Sequence, residues 1–525
     1  MSRLNGKRQK KSLLFRFSKW IHKYVGLILV AFLLWMSVSG ILLNHPKAIS
    51  SISIPSWAVP SHYIPNNWNR SSLTHVVYSQ LQKDLVFGSG KSGVWKSNDG
   101  GKTFIPFMDG KYPNSEFYRK TNHLYLQESA ESSRLFAGND YGLYQLDLSV
   151  GKWHPIELDV SPIKIVKFIK KDEQILVISE SDIYSMEISP TSHVISLERT
   201  HIQQANMNEE MPLVDFFFDL HSGKLFGFFG QLLFDLAGLV LFYLSFTALY
   251  TWLYPKKRKK DRQLERAKPN PAGRRMFNFL LKYHLSLGIW FALFLLIFGA
   301  TGFFMRPPFL AALVDKRIHL PNGINHRHNL SWAVKIQNGM YLSNSDEMVL
   351  ATSEGIWKNN KDEPHVFEPM DVDWPIFVMG ATILEPLKNN RTLVGSFSGL
   401  YEVAESKIDK MTGEMVKDFS TIRPGDFMVT GFTKTSGNES FIFTHEQGVL
   451  SLPGFELKGR FQQPESVSDH YKMPLWNYVF EIHNGRFFKG ILDEWYILLL
   501  PIGSLLLVMI TLTGVIDWLY RRKKI

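Results

Sequence analysis

The chain has 525 residues, with 45% hydrophobic, 14% aromatic and 20% charged side chains, which is too long for one ordinary domain and too apolar for a disordered or collagen-like one. It contains no cysteine, which excludes disulfides, iron–sulfur clusters, thiolate zinc sites and cysteine nucleophiles. The formal charge of +11 would suit a nucleic-acid binder, but it is confined to short stretches. Residues 1–23 hold eight Lys/Arg and no acid, 254–284 hold eleven against Asp261 and Glu265, and Arg521-Arg522-Lys523-Lys524 add four. Those 23 bases and 2 acids sum to +21, so the remainder carries −10. Each basic stretch abuts a long apolar run, the pattern of membrane topology, and no nucleic-acid partner is expected.

Taken in chain order, four apolar runs reach the roughly 20 residues that span a bilayer: Val25 to Leu43, Leu236 to Tyr254, Leu285 to Met305 and Tyr496 to Ile516, none containing Lys, Arg, Asp or Glu. The first is longer than the apolar stretch of a signal peptide and is read as part of the mature protein. The positive-inside rule then places both termini in the cytoplasm of a bacterial inner-membrane protein. The predicted organisation is a basic cytoplasmic N-terminus (1–23), a first span (24–44), a periplasmic β lobe (45–220), an interfacial lead-in with the second span (221–254), and a cytoplasmic loop (255–283). A third span (284–306), a second periplasmic β lobe (307–482), a lead-in with the fourth span (483–519) and a cytoplasmic tail (520–525) follow.

The chain repeats itself at an offset of 262: His22 and Gly26 fall on His284 and Gly288, Gly40 on Gly302, and Leu220-His221-Ser222-Gly223 on Ile482-His483-Asn484-Gly485. Trp252-Leu253-Tyr254 recurs as Trp518-Leu519-Tyr520. The fold class this predicts is a four-helix transmembrane bundle from an internal duplication, with a β-rich, propeller-like periplasmic domain.

Both lobes read as β structure. Short Val/Ile/Phe/Tyr runs alternate with Gly, Asn, Asp and Pro. A Gly-aliphatic-aromatic unit recurs at Gly93-Val94-Trp95, Gly142-Leu143-Tyr144, Gly355-Ile356-Trp357 and Gly399-Leu400-Tyr401, with Gly448-Val449-Leu450 as a variant. Spacings of 40-odd residues match a four-stranded propeller blade. This predicts about three blades per half, near 53–215 and 315–475, with the two lobes meeting face to face. Ser97-Asn98-Asp99-Gly100-Gly101-Lys102-Thr103-Phe104 resembles the Asp-box hairpin of propeller proteins, a structural turn rather than a catalytic element.

Four of the 17 histidines stand apart. His22 and His284 are repeat mates at the inner ends of spans one and three. His221 and His483 are repeat mates on the outer approach to spans two and four. Symmetry-related histidines can converge on the pseudo-two-fold axis and supply the two axial ligands of a haem iron. The plainer alternatives are interface residues among lysines for the first pair and helix caps for the second. His221 also sits some 13 residues beyond the outer end of its span, so the chain must bend, with Gly227 and Gly230 as the expected places. His45, at the outer end of span one, is the second choice as a ligand.

These motifs resemble the PepSY-associated transmembrane family of iron-regulated membrane proteins and ferric-siderophore reductases. The carrying residues are Trp20 to Gly26 with Ser39-Gly40, Lys282 to Gly288 with Thr301-Gly302, Leu220 to Gly223 through Trp252, and Ile482 to Gly485 through Thr513-Gly514 and Trp518. The resemblance implies haem b, two groups held by His22, His284, His221 and His483 as iron ligands, and electron transfer across the membrane. The implied acceptor is a ferric chelate or siderophore outside. The −10 of the outer segments favours a neutral or cationic one. The cytoplasmic segments are too short for a dinucleotide-binding domain, so the donor is quinol or a separate cytoplasmic reductase. Membrane lipid is the remaining partner. No residue is assigned a catalytic role beyond the ligands. A membrane-anchored recognition or signalling module is the alternative function. A transporter is the third reading, but the spans lack the charges and helix breaks of a substrate site.

Overall fold

A computed structural model describes residues 13–522, apart from 130–131, 189–194, 206–209, 265–269, 315, 321–331, 333–334, 377–379, 405–406, 412–427, 436, 438 and 453–460. The basic residues of positions 1–12 and Lys523-Lys524 therefore lie outside the described residues. The chain divides into two units. One comprises Met1–Ile49, Glu209–Arg327 and Trp476–Ile525; the other comprises Ser50–Asn208 and His328–Leu475.

The first unit is helical. Its main elements are α1 (Leu13–Asn44), α2 (Leu213–Ser222), α3 (Gly227–Gln263), α4 (Pro271–Trp290), α5 (Ala292–Phe304), α6 (Leu475–His483) and α7 (Tyr496–Arg522). Among the described residues, three stretches are long and apolar enough to cross a membrane: Phe15–Asn44, Lys224–Gln263 and Arg486–Tyr520. A fourth exists only if α4 and α5 count as one span, because they are bent by 64°. The continuous third span expected over Leu285–Met305 is thus corrected to a broken one. The break lies at Phe291, whose φ of −101° and ψ of 5° leave the helical region. No proline marks the break, and Phe291 N–H still donates to Leu287 O and Leu295 N–H to Phe291 O. Leu29 and Leu33 of α1, Leu241 of α3, Leu295 of α5, and Leu507 and Ile510 of α7 form one shared buried core.

The approach to α3 settles how His221 returns to the helices. α2 ends at Gly223, whose φ of 79° is the left-handed conformation that favours glycine. A 3₁₀ turn, Lys224–Phe226, leads to Gly227 at φ 66°. A Cβ on Gly223 would collide with the backbone of Gly230, and one on Gly230 with Gly223 O. The chain therefore turns sharply between Gly223 and Gly227. Gly230 is the packing partner of the turn, not a second bend. The same sequence of elements recurs in the second half: α6 ends before Gly485 at φ 80°, and a 3₁₀ turn follows at Arg486–Phe488. The second half then adds two short pieces, Lys489–Leu492 and Asp493–Trp495, before α7. That insertion is why Trp252 maps onto Trp518 at an offset of 266 rather than 262.

The second unit is a β-propeller whose described strands form six blades. Blades 1 to 3 are antiparallel four-stranded sheets beginning at His75–Tyr78, Thr121–Glu128 and Ile165–Lys171. Blades 4 to 6 begin at Ile336–Leu342, Ile383–Pro386 and Val429–Lys434. Gln203–Gln204, from the first half, pairs in parallel with Val366–Pro369 at the outer edge of blade 4.

Alternating residues on each blade face opposite neighbours, so every pair of adjacent blades shares one apolar cluster. Phe87 meets Leu135 between blades 1 and 2, Phe136 meets Val177 between 2 and 3, and Ile178 meets Leu350 between 3 and 4. Val349 meets Val394 between blades 4 and 5, and Leu393 meets Ile442 between 5 and 6. Trp68 and Val86 meet Phe441 and Phe443 between blades 1 and 6, which closes the ring. Three blades per half is the number expected. The arrangement differs: the lobes join edge to edge in one ring rather than face to face, because a three-blade arc leaves an apolar blade face uncovered at each end.

The Asp-box forms as predicted. Asp99 Oδ1 accepts from Thr103 N and Lys102 N, and Gly100 and Gly101 take φ of 74° and 91°. Phe104 enters the cluster between blades 1 and 6. Burial works the other way, but the hydrogen bonds from Thr103, Ser97 and Lys102 hold the Asp99 carboxyl at about 2.

Candidate functional site

The four singled-out histidines all lie in the helical unit, and each is held by the other half of the repeat. Ser39 Oγ on α1 lies 2.7 Å from His483 Nδ1, and Thr301 Oγ1 on α5 lies 2.7 Å from His221 Nδ1. Thr247 Oγ1 on α3 lies 2.8 Å from His284 Nδ1. His22 Nδ1 lies 2.8 Å from Ile510 O on α7, with Thr513 Oγ1 at 3.5 Å.

These contacts determine the tautomers. A hydroxyl has one proton. That of Ser39 goes to Trp35 O at 2.8 Å, that of Thr301 to Ile297 O at 2.6 Å, and that of Thr247 to Tyr243 O at 2.8 Å. Each hydroxyl oxygen is therefore left to accept from imidazole Nδ1–H. Ile510 O can only accept, so His22 also carries its proton on Nδ1. All four rings present an Nε2 lone pair, the ligating form of a neutral histidine with its other nitrogen oriented by a hydrogen bond.

Glycines lie beside three of the rings, and that beside His22 is the tightest. A methyl at Gly40 would stand 3.6 Å from His483 Cε1, one at Gly302 3.7 Å from His221 Cε1, and one at Gly514 3.1 Å from His22 Cε1. Each glycine directly follows the hydroxyl residue that faces the same histidine.

The pairing expected from the repeat is present on the inner side. The rings of His22 and His284 have centroids 6.4 Å apart at an interplanar angle of 84°. Two metal–imidazole bonds of roughly 2 Å, with about 1 Å more from each Nε2 to its ring centre, put trans axial imidazoles about 6 Å apart. The inner pair thus fits the two axial positions of a haem. On the outer side His221 is close enough to His483 to act on its charge, and Phe298 packs 5.5 Å from the His221 ring. Among the described residues no group of three or more His, Asp or Glu could hold a bare metal ion. Paired histidines suit a metal whose equatorial ligands come from a macrocycle.

His45, the second choice, is placed otherwise. Its Nε2 donates to Asp235 Oδ2 at 2.8 Å, and Asn44 Nδ2 donates to Oδ1 at 2.9 Å. With Nε2 so engaged, His45 does not present the lone pair that the other four present. Asp235 is a residue the sequence reading missed. It stands one position before the apolar run that begins at Leu236, is 8% exposed, and has Pro501 as its repeat counterpart at the offset of 266. Its signal was an acid abutting a span, with no basic partner nearby in sequence.

Residues 19–521 match the family described as "PepSY-associated TM region". No curated protein matches the chain. Solved structures resemble it at low identity. The extracellular domain of a hybrid two-component system from B. thetaiotaomicron is 9% identical with a TM-score of 0.34, covering 74% of this chain and 38% of that one. An ancestral GH74 enzyme is 9% identical with a TM-score of 0.33, covering 72% and 35%. YCF48 from Cyanidioschyzon merolae is 9% identical with a TM-score of 0.31, covering 72% and 94%. The chain thus spans under two fifths of the first two of these structures.

Proposed function

Since the chain belongs to the PepSY-associated transmembrane family, we propose that it is a haem-binding inner-membrane reductase with both termini cytoplasmic. His22 and His284 would hold one haem b, and His221 and His483 a second. A haem iron cycling between its ferric and ferrous states supplies single-electron transfer. The protein's own residues do the rest. Ser39, Thr301, Thr247 and Ile510 O orient the rings and keep the proton on Nδ1, and Gly40, Gly302 and Gly514 lie beside three of them. Electrons enter from quinol or a cytoplasmic reductase and leave toward a ferric chelate or siderophore. The single observation that carries the reading is that all four histidines share one tautomer, each set by the opposite half of the chain.

A visible spectrum of the purified protein tests it. The expected result is the sharp reduced bands of six-coordinate haem b, with two haems per chain and poor carbon monoxide binding. A protein without haem after expression with haem supplied sinks the reading. It would leave the recognition module, which the closed propeller and its polar channel favour, as the function.

A further inference from the structure

We propose that the central channel of the propeller is a binding site for a small organic polycarboxylate. The inference concerns the β unit alone and does not rest on the haem reading. The first strands of all six blades surround a cavity of about 270 Å³. Its lining holds four lysines, Lys91, Lys120, Lys164 and Lys167, against one carboxylate, Glu385. Among the described residues no arginine lines it.

The topology sets where these charges stand. Lys120 and Lys164 immediately precede the first strands of blades 2 and 3. Lys91 is in the turn between the second and third strands of blade 1. In an antiparallel blade these positions share one end of the sheet, so the three lysines converge on one mouth of the channel. Lys167 lies deeper and reaches across, donating to Leu384 O at 2.8 Å and Glu385 Oε1 at 2.7 Å. That ion pair neutralises Glu385, so Lys91, Lys120 and Lys164 are the lining charges at the mouth.

Asp140 partly offsets them. Lys120 bonds it at 3.0 Å and Asn122 Nδ2 donates to it at 2.9 Å. The Lys164 ammonium makes no hydrogen bond or ion pair among the described residues, although Asp140 and Glu180 are near enough to act on it. A part-buried ammonium without a bonded partner is costly unless something anionic completes it.

The remaining lining offers more donors. The His75 and His123 rings stack with centroids 3.7 Å apart. His75 Nδ1 accepts from Leu124 N–H at 3.2 Å, so its proton sits on Nε2. His123 Nδ1 is buried without a hydrogen-bond partner. Ammonium and imidazole N–H groups call for an acceptor-rich anion. The cations come from three successive blades, an arrangement that suits an organic anion with several separated carboxylates. The local charge is opposite to the −10 of the outer segments as a whole, so it is the lining that bears on the ligand.

The test is titration calorimetry on the full-length protein in detergent, with citrate, inorganic phosphate and spermidine as probes. Citrate should bind, and Lys164→Gln and Lys120→Gln should each weaken it about tenfold, the usual worth of a charge-assisted hydrogen bond. Lys164→Arg should restore most of the loss, which separates lost charge from a damaged fold. Unchanged melting of the β unit in each variant is the second control. The proposal is overturned if citrate does not bind, if the Gln variants bind it like the parent, or if phosphate or spermidine binds as tightly as citrate. Haem content should be the same in all variants, so either reading can fail alone.

Discussion

Ser39 and His483 stand 444 positions apart, in opposite halves of the chain, and share one hydrogen bond whose direction leaves His483 Nε2 free. Thr301 and His221 repeat that bond with the halves exchanged. Ser39→Ala or Thr301→Val removes the acceptor and lets the ring rotate or change tautomer. Loss of such an orienting partner usually costs 10–100-fold in metal affinity. The expected outcome is weakened retention of the outer haem with the inner one intact, read by haem titration and redox potentiometry. Equal weakening of both centres would refute the assignment.

At the inner pair the two ring planes are close to perpendicular. If His22 and His284 hold a haem, imidazoles so crossed would leave two iron d orbitals nearly equal in energy, and the ferric low-spin signal should be strongly anisotropic. Electron paramagnetic resonance of the oxidised protein should show that signal. It should vanish in His22→Ala and His284→Ala while the other haem remains. Full haem content in both variants would remove the inner site.

Much of this was legible beforehand, and the reasons differ by level. The histidine pairs were readable because duplication writes each one twice at a fixed offset. The (Ser/Thr)-Gly pairs Ser39-Gly40, Thr301-Gly302 and Thr513-Gly514 were visible as small helix ends, but not their role. A hydroxyl that faces a histidine hundreds of residues away leaves no local periodicity. The blades were readable from the recurring Gly-aliphatic-aromatic unit, because strand and turn chemistry are local. Ring closure was not, since it rests on Phe441 and Phe443 meeting Trp68. The bend at Phe291 had no sequence signal, as neither proline nor a missing donor marks it.

Closure of the ring gives its own test. A Cβ on Gly431, in the first strand of blade 6, would collide with Thr74 O beside blade 1. Thr433 Oγ1 donates to Val76 O across the same seam. Gly431→Ala should force the seam apart and destabilise the β unit by about 1–3 kcal/mol or more, the usual cost of overpacking. Thermal melting followed by tryptophan fluorescence reads it, because Trp68 is fully buried at this seam. An unchanged midpoint would contradict a closed ring.

The stacked channel histidines predict a pH dependence. Burial, with Lys167 nearby, pushes His75 down to about 3, and burial with His75 and Lys167 nearby pushes His123 well below its usual range. Both folded values lie below the unfolded one, so the unfolded chain binds the proton more readily. Their contribution is fully present above the unfolded pKa of about 6.5 and is lost as pH falls below it. The slope for each histidine is at most about 1.4 kcal/mol per pH unit. Melting of the β unit should weaken steadily from pH 6.5 to 5, and His123→Gln should flatten the curve. A midpoint independent of pH over that window would show that these rings are not held neutral.

The direction of electron flow remains to be tested on the whole protein. If His221 and His483 hold the outer haem, every electron bound for an external acceptor must pass through it, while the inner haem depends only on His22 and His284. Vesicles loaded with an electron donor and presented with a ferric chelate outside separate the two. The parent should reduce the chelate. His221→Ala and His483→Ala should lose that reduction while the inner haem still turns ferrous from the donor side, followed by its visible bands. Reduction at the parent rate in these variants would remove the outer histidines from the path. A parent that takes up electrons but reduces no ferric chelate would keep the haem assignment and overturn only the acceptor.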